Sequence, residues 1–268
     1  MQALPDHFAL SVIAPRRTGK TYFLCTALRE GLTIPFDHIF TMSPTIGQNQ
    51  AFLEFSEHLS QHQIDKIQST PKLDRYGHPT GECIKLLPIE ERRKFHMIEE
   101  VSDGFIADII EDQKDVINRV RSRESKGDYS MRIPRLLLIF DDCLESDAVR
   151  HHGTLNSVAY LGRHLHISFI VMSQHFNKIG KGIRLNSDMI ILMRPFSVSE
   201  METFLDQFSL RGSRRQNMQR FMSIFDEKYQ FIVLNNMADT YEERFCCSFA
   251  QDFVNEKEMR RIPLGDDV

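Results

Sequence analysis

Short, nearly continuous apolar runs alternate along this chain with longer segments in which apolar residues recur every three or four positions. The runs cover residues 8–13, 38–42, 135–140, 166–172 and 188–193. Runs of this length are typical of strands buried on both faces of a sheet, and the intervening spacing is typical of helices. Strands that alternate with helices predict an α/β fold with a mainly parallel central sheet flanked by helices.

Helical spacing is clearest in the middle of the chain, where Phe105, Ile109, Val116 and Val120 form one stripe. That stripe predicts a helix that ends near Arg121. Further helices are predicted over 20–30, 51–59, 181–185, 201–208 and 214–225. The runs at 229–234 and 244–249 flank a polar turn and predict a C-terminal β-hairpin.

The strongest local motif joins the first strand to the first helix. Residues 14–21 read Ala-Pro-Arg-Arg-Thr-Gly-Lys-Thr, a polar loop between an apolar run and a helical pattern. Backbone N–H groups at such a helix start can surround a polyphosphate, and the helix dipole favours its negative charge. Gly19 lets the backbone approach the phosphates, Lys20 can reach the terminal phosphates, and the Thr21 hydroxyl can bind Mg²⁺. The motif therefore predicts a loop that binds a nucleoside triphosphate.

Ala14 stands where such loops commonly have their first glycine. Alanine costs little at this position if the residue keeps a negative φ. The residues predicted to bind the nucleotide are Ala14, Arg17, Thr18, Gly19, Lys20, Thr21 and Tyr22.

Two acids end the strand predicted over 135–140. Asp141 and Asp142 would lie at the carboxyl edge of the sheet, where ligands bind in open α/β folds. Asp141 is the candidate Mg²⁺ carboxylate, acting with Thr21, and Asp142 is the candidate general base that polarises the attacking water. The alternative is that the pair caps a helix or opens a turn.

Two further residues are candidates for catalysis. Gln174 would lie beside the γ-phosphate if its strand lies between the other two, and it could then orient water or sense hydrolysis; the alternative is a polar residue leaving a strand for a loop. Arg163 ends the preceding helix and could stabilise transition-state charge on a neighbouring subunit's nucleotide. It could equally complement the C-terminus of its own helix.

Together these residues resemble the genome-packaging ATPases of the poxvirus type, within the wider HerA–FtsK superfamily. The resemblance spans about 8–249 and rests on 14–21, 136–142, 162–174 and 183–194. It implies a P-loop NTPase fold of the RecA/ASCE type, with ATP and Mg²⁺ as cofactors.

The resemblance also implies roles for individual residues. Lys20 and Thr21 would bind phosphate and Mg²⁺, and Asp141 would hold Mg²⁺ through water. Asp142 would be the base and Gln174 the sensor.

The partners that the resemblance implies are double-stranded DNA, the proteins of a viral capsid or portal vertex, and further copies of the chain in a ring of five or six. The ring would thread DNA into a preformed capsid in the host cytoplasm, at the site of virus assembly, or be associated with the virion. In such a ring Arg163 would be the arginine finger, with Arg184 and Arg194 as rivals.

Two locally basic groups could contact DNA phosphates without reading sequence. One group, at the end of the long predicted helix, comprises Arg119, Arg121, Arg123 and Lys126; the other, beside a predicted helix start, comprises Arg211, Arg214, Arg215 and Arg220. The alternative for each group is a solvated face, or salt bridges between subunits.

Composition and charge narrow the classes of protein. The chain has 268 residues, of which 41% are hydrophobic and 26% charged, and this suits a soluble, core-forming protein. No apolar stretch approaches the roughly 20 residues of a transmembrane helix, and the N-terminus lacks the pattern of a secretory signal. A net charge of −4 confines any DNA binding to local patches or a ring pore. The five scattered cysteines predict reduced thiols and no zinc site.

A single domain is expected over residues 1–253, followed by a polar C-terminal tail over 254–268. Residues 65–93 are polar and rich in proline and glycine. Because both of their flanks contribute to one site, they predict a variable insertion, a loop or lid rather than a linker.

Two other functions fit the same motifs. A small-molecule P-loop kinase would need an acceptor pocket and a lid, which 65–93 could supply, but the predicted core strand ending in Gln174 argues against it. A structural virion component could bind nucleotide as an assembly switch without turnover, and Arg16 and Arg17 in the loop are compatible with that. The favoured interpretation is an ATPase that packages double-stranded viral DNA.

Overall fold

A nine-stranded sheet forms the centre of the part of the chain that the computed structural model describes. That part comprises residues 5–28, 36–55, 57, 71–73, 79–83, 94–99, 102–143, 153–194, 197–208, 212–226, 230–240, 243–249 and 260–261. In chain order its strands are β1 (Ala9–Ile13), β2 (His38–Met42), β3 (Pro71–Leu73), β4 (Pro79–Cys83), β5 (Lys94–Ile98), β6 (Leu136–Asp141), β7 (Ile167–Ser173), β8 (Met189–Leu192), β9 (Gln230–Asn235), β10 (Phe245–Phe249) and β11 (Arg260–Arg261). The α-helices are α1 (Lys20–Thr26), α2 (Asp103–Glu124), α3 (Gly153–Leu161), α4 (Lys181–Asn186), α5 (Val198–Phe208) and α6 (Arg214–Ile224), and residues 50–55 are also helical.

The strand order of the sheet is β5-β2-β6-β7-β1-β8-β9-β10-β11. The six strands from β5 to β8 pair in parallel, and β9, β10 and β11 continue the sheet in antiparallel fashion. The predicted mainly parallel sheet and C-terminal hairpin are therefore both confirmed. β3 and β4 form a separate antiparallel pair.

Hydrophobic cores cover both faces of the sheet. Helices α2 to α6 pack on one face, through residues such as Ile109, Val158 and Phe204. On the other face lie α1 and the helical residues 50–55, with Phe23 and Phe52 among the buried side chains. Every residue of β1, β6 and β7 is buried, as nearly continuous apolar strands predict.

The long helix α2 follows the apolar stripe seen in the sequence. Ser102 is its N-cap and accepts a hydrogen bond from the Phe105 N–H at 3.1 Å. Ile106, Ile109 and Ile117 are buried at helical spacing against the sheet. The helix continues to Glu124, one turn beyond its predicted end near Arg121.

Strand β5 was not predicted from the sequence, and it adds a parallel neighbour at the outer edge of β2. Of the predicted insertion at 65–93, only Pro71–Leu73 and Pro79–Cys83 lie within the described residues. Of the predicted tail at 254–268, Arg260–Arg261 are described, and they pair with β10.

The described helices are not long and apolar enough to cross a membrane. Among the cysteines whose side chains are described, Cys25, Cys143, Cys246 and Cys247 are buried. Burial raises the pKa of Cys143 to about 12, and the nearby Asp141 adds to this, so the thiol stays protonated at neutral pH.

Candidate functional site

The carboxyl ends of β1, β7 and β6 lie side by side at one edge of the sheet. Ile13 pairs with Ser173, and Asp141 pairs with Met172. The prediction for Gln174 required its strand to lie between the other two, and β7 does lie between β1 and β6. The loop after β1, the acids at the end of β6 and the glutamine after β7 therefore meet at this edge.

The loop after β1 reaches α1 through two residues in the left-handed region. Arg17 has a φ of 63° and Gly19 a φ of 89°. A Cβ on Gly19 would find no atom within 4 Å, so glycine suits this position because of its backbone conformation rather than crowding. Ala14 is fully buried, is not among the residues with positive φ, and donates its N–H to the Ser173 carbonyl at 2.9 Å. Alanine therefore costs little at this position compared with glycine, because the backbone does not need a positive φ there.

The other loop residues proposed to bind nucleotide have different surroundings. Thr18 donates its hydroxyl to the Pro15 carbonyl at 2.7 Å, which closes the loop on itself. Thr21 is half-buried in the first turn of α1, and the Tyr22 side chain is exposed. Their contacts with nucleotide stay a prediction.

Lys20 contacts both acids of β6. Its Nζ lies 2.9 Å from Asp141 Oδ1 and 2.5 Å from Asp142 Oδ2. The lysine is 8% exposed and its two partners offset the cost of burying the ammonium. The lysine of the phosphate loop is thus held by the two carboxylates.

Asp141 is the more deeply buried acid, at 4% exposure. Its Oδ2 accepts a hydrogen bond from the Ser43 hydroxyl at 3.4 Å. Burial raises the pKa of Asp141 above its ordinary value, and Lys20 acts against that shift. Ser43 directly follows β2, whose carboxyl end lies next to that of β6.

Asp142 has a left-handed backbone, with a φ of 53°. This conformation costs a non-glycine residue roughly 1–2 kcal/mol, although aspartate tolerates it better than most. The Asp142 N–H donates to the Met172 carbonyl at 3.1 Å, which anchors the residue to β7. Strained residues persist where their surroundings determine them, and such residues cluster at functional sites.

Gln174 connects Asp142 to the phosphate loop. Its Nε2 donates to Asp142 Oδ2 at 3.0 Å, and its Oε1 accepts from Arg16 Nε at 3.1 Å. The structure therefore brings together four of the predicted residues in one cluster: Lys20, Asp141, Asp142 and Gln174.

The oxygen donors at this edge fit Mg²⁺. The ion is usually bound by one or two carboxylates together with substrate phosphates and waters. Asp141 supplies a buried carboxylate, and Ser43 places a hydroxyl beside it. No cluster of three or more His, Cys, Asp or Glu side chains in the described part of the chain could hold a metal, so phosphate and water would complete this site.

Arg163 lies at the opposite edge of the sheet, before the start of β7. Its guanidinium donates to Asp188, whose second oxygen accepts the Ala9 N–H at 2.8 Å. The Arg163 side chain is 65% exposed, whereas that of Asp188 is 1% exposed. Arg163 is therefore separated from the Lys20 cluster of its own subunit.

The two rival arginines are placed differently. Arg184 is 9% exposed, with its guanidinium carbon 4.2 Å from the centre of the Phe176 ring, and it donates to the Phe176 carbonyl at 3.3 Å. Arg194 is exposed and follows Met193, whose N–H donates to the Ile13 carbonyl at 2.8 Å. Arg194 therefore lies at the same edge as the phosphate loop.

Sequence reasoning missed two residues of this cluster. Ser43 directly follows the apolar run 38–42, and a hydroxyl after a parallel strand lies at the ligand-binding edge, which is the signal that could have identified it. Arg16 was seen as a charge in the loop, and its contact with Gln174 depends on two loops that are 158 residues apart.

Comparison with known proteins supports this description. Residues 96–266 match the model of a family described as Poxvirus A32 protein, which covers more than half of the chain. An uncharacterized protein, 088R, of Invertebrate iridescent virus 3 is 22% identical over 132 residues, which are 49% of this chain and 51% of that protein. The chain thus spans about half the length of this curated relative.

Solved structures share the fold at low sequence identity. The genome packaging NTPase B204 of Sulfolobus turreted icosahedral virus 2, in complex with ATP-γS, has a TM-score of 0.51 at 10% identity; the match covers 98% of this chain and 100% of B204. EssC, ATPases 2 and 3, of Geobacillus thermodenitrificans has a TM-score of 0.55 at 13% identity, over 100% of this chain and 42% of EssC.

The loop between β1 and α1 has the Gly-Lys-Thr ending of a phosphate-binding P-loop, and the fold is shared with solved NTPase structures. The family match confirms the resemblance to the poxvirus-type packaging ATPases that the sequence motifs predicted. This chain has the fold of the P-loop NTPases and belongs to the Poxvirus A32 protein family.

Proposed function

We propose that this protein hydrolyses ATP with Mg²⁺ and uses the energy to move double-stranded viral DNA into a preformed capsid. The observation that carries the proposal is the cluster at the carboxyl edge of the sheet. There Lys20 lies within 3 Å of both Asp141 and Asp142, and Gln174 contacts Asp142. Family membership, and the packaging NTPase named among the structures with this fold, support the choice of DNA packaging.

Hydrolysis needs little covalent chemistry from the protein, because phosphoryl transfer depends mostly on positioning and charge neutralisation. When ATP binds, the Lys20 ammonium turns from the carboxylates towards the phosphates. Asp142 then accepts a hydrogen bond from the attacking water and aims it, and Gln174 orients the same water. The Gly19 backbone lets the loop close on the phosphates.

Asp141, Thr21 and Ser43 are the residues that would hold Mg²⁺. The ion supplies positive charge that stabilises the charge developing on the phosphate oxygens.

Contacts between α5 and α6 bear on which of the two basic groups binds DNA. We call Arg119, Arg121, Arg123 and Lys126 the α2 basic group, and Arg211, Arg214, Arg215 and Arg220 the α6 basic group. Arg214 lies 3.7 Å from Glu202 and 3.4 Å from Asp206, so α5 compensates the charge of one member of the α6 basic group. The side chains of the α2 basic group are all exposed. Among them Arg123 lies 3.6 Å from Asp128. Each group thus has an arginine beside acids in the described part of the chain, two acids for Arg214 and one for Arg123. We favour the α2 basic group as the DNA contact because its four side chains are all exposed, whereas Arg220 of the α6 basic group is half-buried.

The same proposal includes a ring of five or six copies that docks on a capsid or portal vertex, at the site of virus assembly in the host cytoplasm or in the virion. Within it, Arg163 would act on the nucleotide of a neighbouring subunit, with Arg184 and Arg194 as rivals.

We expect Arg163→Ala subunits mixed into wild-type rings to suppress ATP turnover more than dilution alone. A linear loss of turnover would count against Arg163 as the finger.

The experiment that tests the function is steady-state ATP turnover of the wild type and Lys20→Ala, with and without long double-stranded DNA. We expect duplex DNA to raise turnover and Lys20→Ala to abolish it. Lys114→Ala is a matched control, because Lys114 is an exposed lysine of α2 whose surface ion pair with Glu111 spans 3.8 Å. Turnover that depends on Lys20 but not on DNA would favour a small-molecule kinase, and binding without turnover would favour an assembly switch.

A further inference from the structure

Arg16 makes a specific contact although it is an exposed residue of the phosphate loop. Its Nε lies 3.1 Å from Gln174 Oε1, and Gln174 Nε2 lies 3.0 Å from Asp142 Oδ2. Two hydrogen bonds thus connect a loop arginine to the candidate general base. We refer to Arg16, Gln174 and Asp142 as the relay.

The direction of each hydrogen bond in the relay is determined by chemistry. A guanidinium can only donate, an ionised carboxylate can only accept, and a carboxamide has one group of each kind. The arginine therefore selects the carboxamide oxygen of Gln174, which turns the NH₂ group towards Asp142. The Asp142 carboxylate selects the same orientation from the other side, so Arg16 and Asp142 together hold the carboxamide, and without Arg16 its oxygen end is no longer held by the relay.

Asp142 Oδ2 is the end of the relay and is also the oxygen that Lys20 contacts, at 2.5 Å. When Lys20 turns to bound phosphate, as the proposed mechanism requires, Gln174 is the remaining relay contact of this carboxylate oxygen. The orientation of Gln174 then determines how Asp142 is held. Arg17, the next residue of the loop, is exposed as well, and the two hydrogen bonds of the relay do not involve it.

We propose, on the basis of the ATPase function above, that Arg16 is a positioning residue. It holds the Gln174 carboxamide so that its NH₂ group fixes the Asp142 carboxylate. The phosphate loop thereby acts on the general base through an amide, in addition to binding phosphate. Arg16 acts through Gln174 and has no separate contribution to the chemical step.

The test is a double-mutant cycle in ATP turnover, with Arg16→Met as a side chain of similar length that cannot donate. We expect Arg16→Met to lower kcat about tenfold, the equivalent of one hydrogen bond, and Gln174→Ala to lower it at least as much. The double variant should be no slower than Gln174→Ala alone, because Arg16 acts only through Gln174. The Kd for ADP should stay within about twofold of the wild type in each, since ground-state binding does not use the relay.

Two further variants separate positioning from a general charge effect. Arg16→Lys keeps a donor that can reach the carboxamide oxygen and should restore most of the turnover. Arg17→Met serves as the matched comparison, because its effect should multiply with that of Gln174→Ala. The proposal would be overturned if the fold-losses in kcat caused by Arg16→Met and Gln174→Ala multiplied in the double variant. It would also be overturned if Arg16→Met weakened ADP binding by as large a factor as it lowered kcat.

A measurement without turnover keeps this inference separate from the proposed ATPase function. In the ¹⁵N-labelled, nucleotide-free protein, the Gln174 side-chain amide signal can be assigned by its loss in Gln174→Ala. We expect Arg16→Met to shift that signal and Arg17→Met to leave it in place. If the wild type showed no ATP turnover but the signal shifted, the proposed function would fail while the positioning role stood. A signal indifferent to Arg16→Met would overturn the positioning role.

Discussion

At the scale of single residues, Asp142 combines features that are rarely found together. It has a left-handed backbone, it is half-buried, and one of its carboxylate oxygens contacts both Lys20 and Gln174. Asp141, the preceding residue, also contacts Lys20, but its second oxygen contacts Ser43 rather than Gln174. The two adjacent acids share the lysine and differ in their other partners, which suits separate roles in catalysis and metal binding.

The variant Asp142→Asn tests the role of this carboxylate. Asparagine has nearly the same size and also tolerates the left-handed region, so we expect the fold to be kept. Turnover should fall at least about a hundredfold, the usual contribution of a general base. ATP affinity should stay the same or rise, because one anionic partner of Lys20 is removed. Stopped-flow nucleotide binding and single-turnover hydrolysis measure the two effects.

Asp141→Asn is the matched variant for that experiment. It removes the carboxylate proposed for Mg²⁺, so a higher Mg²⁺ concentration should be needed for half-maximal turnover. Normal turnover in Asp142→Asn would remove Asp142 as the base.

At the scale of elements, the amino edge of the sheet is held by a buried carboxylate. Asp188 precedes β8 and binds the first N–H of β1 as well as Arg163, which precedes β7. Three neighbouring parallel strands therefore meet at one side chain. Burial raises the pKa of Asp188, while the Ala9 N–H and Arg163 lower it.

We expect Arg163→Ala to destabilise the fold in a pH-dependent way. Losing the arginine removes a cause that lowers the pKa of Asp188, so that pKa rises further. A carboxyl group whose pKa is raised in the folded state costs no stability at low pH, where it is protonated. The free energy of unfolding falls as the pH rises through the folded-state pKa, because the buried group then ionises. The free energy of unfolding should fall by about 1–3 kcal/mol at pH 7 and by less at pH 5.

Urea denaturation of wild type and Arg163→Ala at the two pH values measures this difference. Lys114→Ala is again the control, since its ion pair is exposed and should contribute less than about 1 kcal/mol at either pH. A destabilisation by Arg163→Ala that was equal at both pH values would show that Asp188 is not its partner in solution.

At the scale of the whole molecule, the basic groups and the nucleotide site have to cooperate if the protein moves DNA. Neutralising Arg119 and Arg121 together should weaken duplex binding and reduce the slope of log K against log salt by about 2 if both contact phosphates. Neutralising Arg214 and Arg215 should change the slope less, because α5 already compensates Arg214. Fluorescence anisotropy with a labelled duplex over a range of salt concentrations measures both slopes. Equal slopes for wild type and the first variant would make the α2 basic group a solvated face.

The sequence predicted those parts of the fold in which a local motif and a strand adjoin. β1 and β6 could be recognised because an apolar run leads directly into a phosphate loop or an acid pair. β5 could not, because it follows a long polar insertion and its residues Lys94–Ile98 alternate at the outer edge of the sheet. The contacts of Ser43 and Arg16 could not be predicted either, because they depend on which strands are neighbours, and chain order does not determine that.

The position of β1 in the sheet has a consequence for how this protein is made. β1 is synthesised well before its two partners β7 and β8, which begin about 160 and 180 residues after it. At about 5–20 residues per second, the apolar segment Ala9–Ile13 leaves the ribosome roughly 8–30 s before either partner exists. The nascent chain therefore exposes an unpaired hydrophobic strand for most of its synthesis. Such a segment is a natural binding site for chaperones, and yields of folded protein should rise when synthesis is accompanied by them.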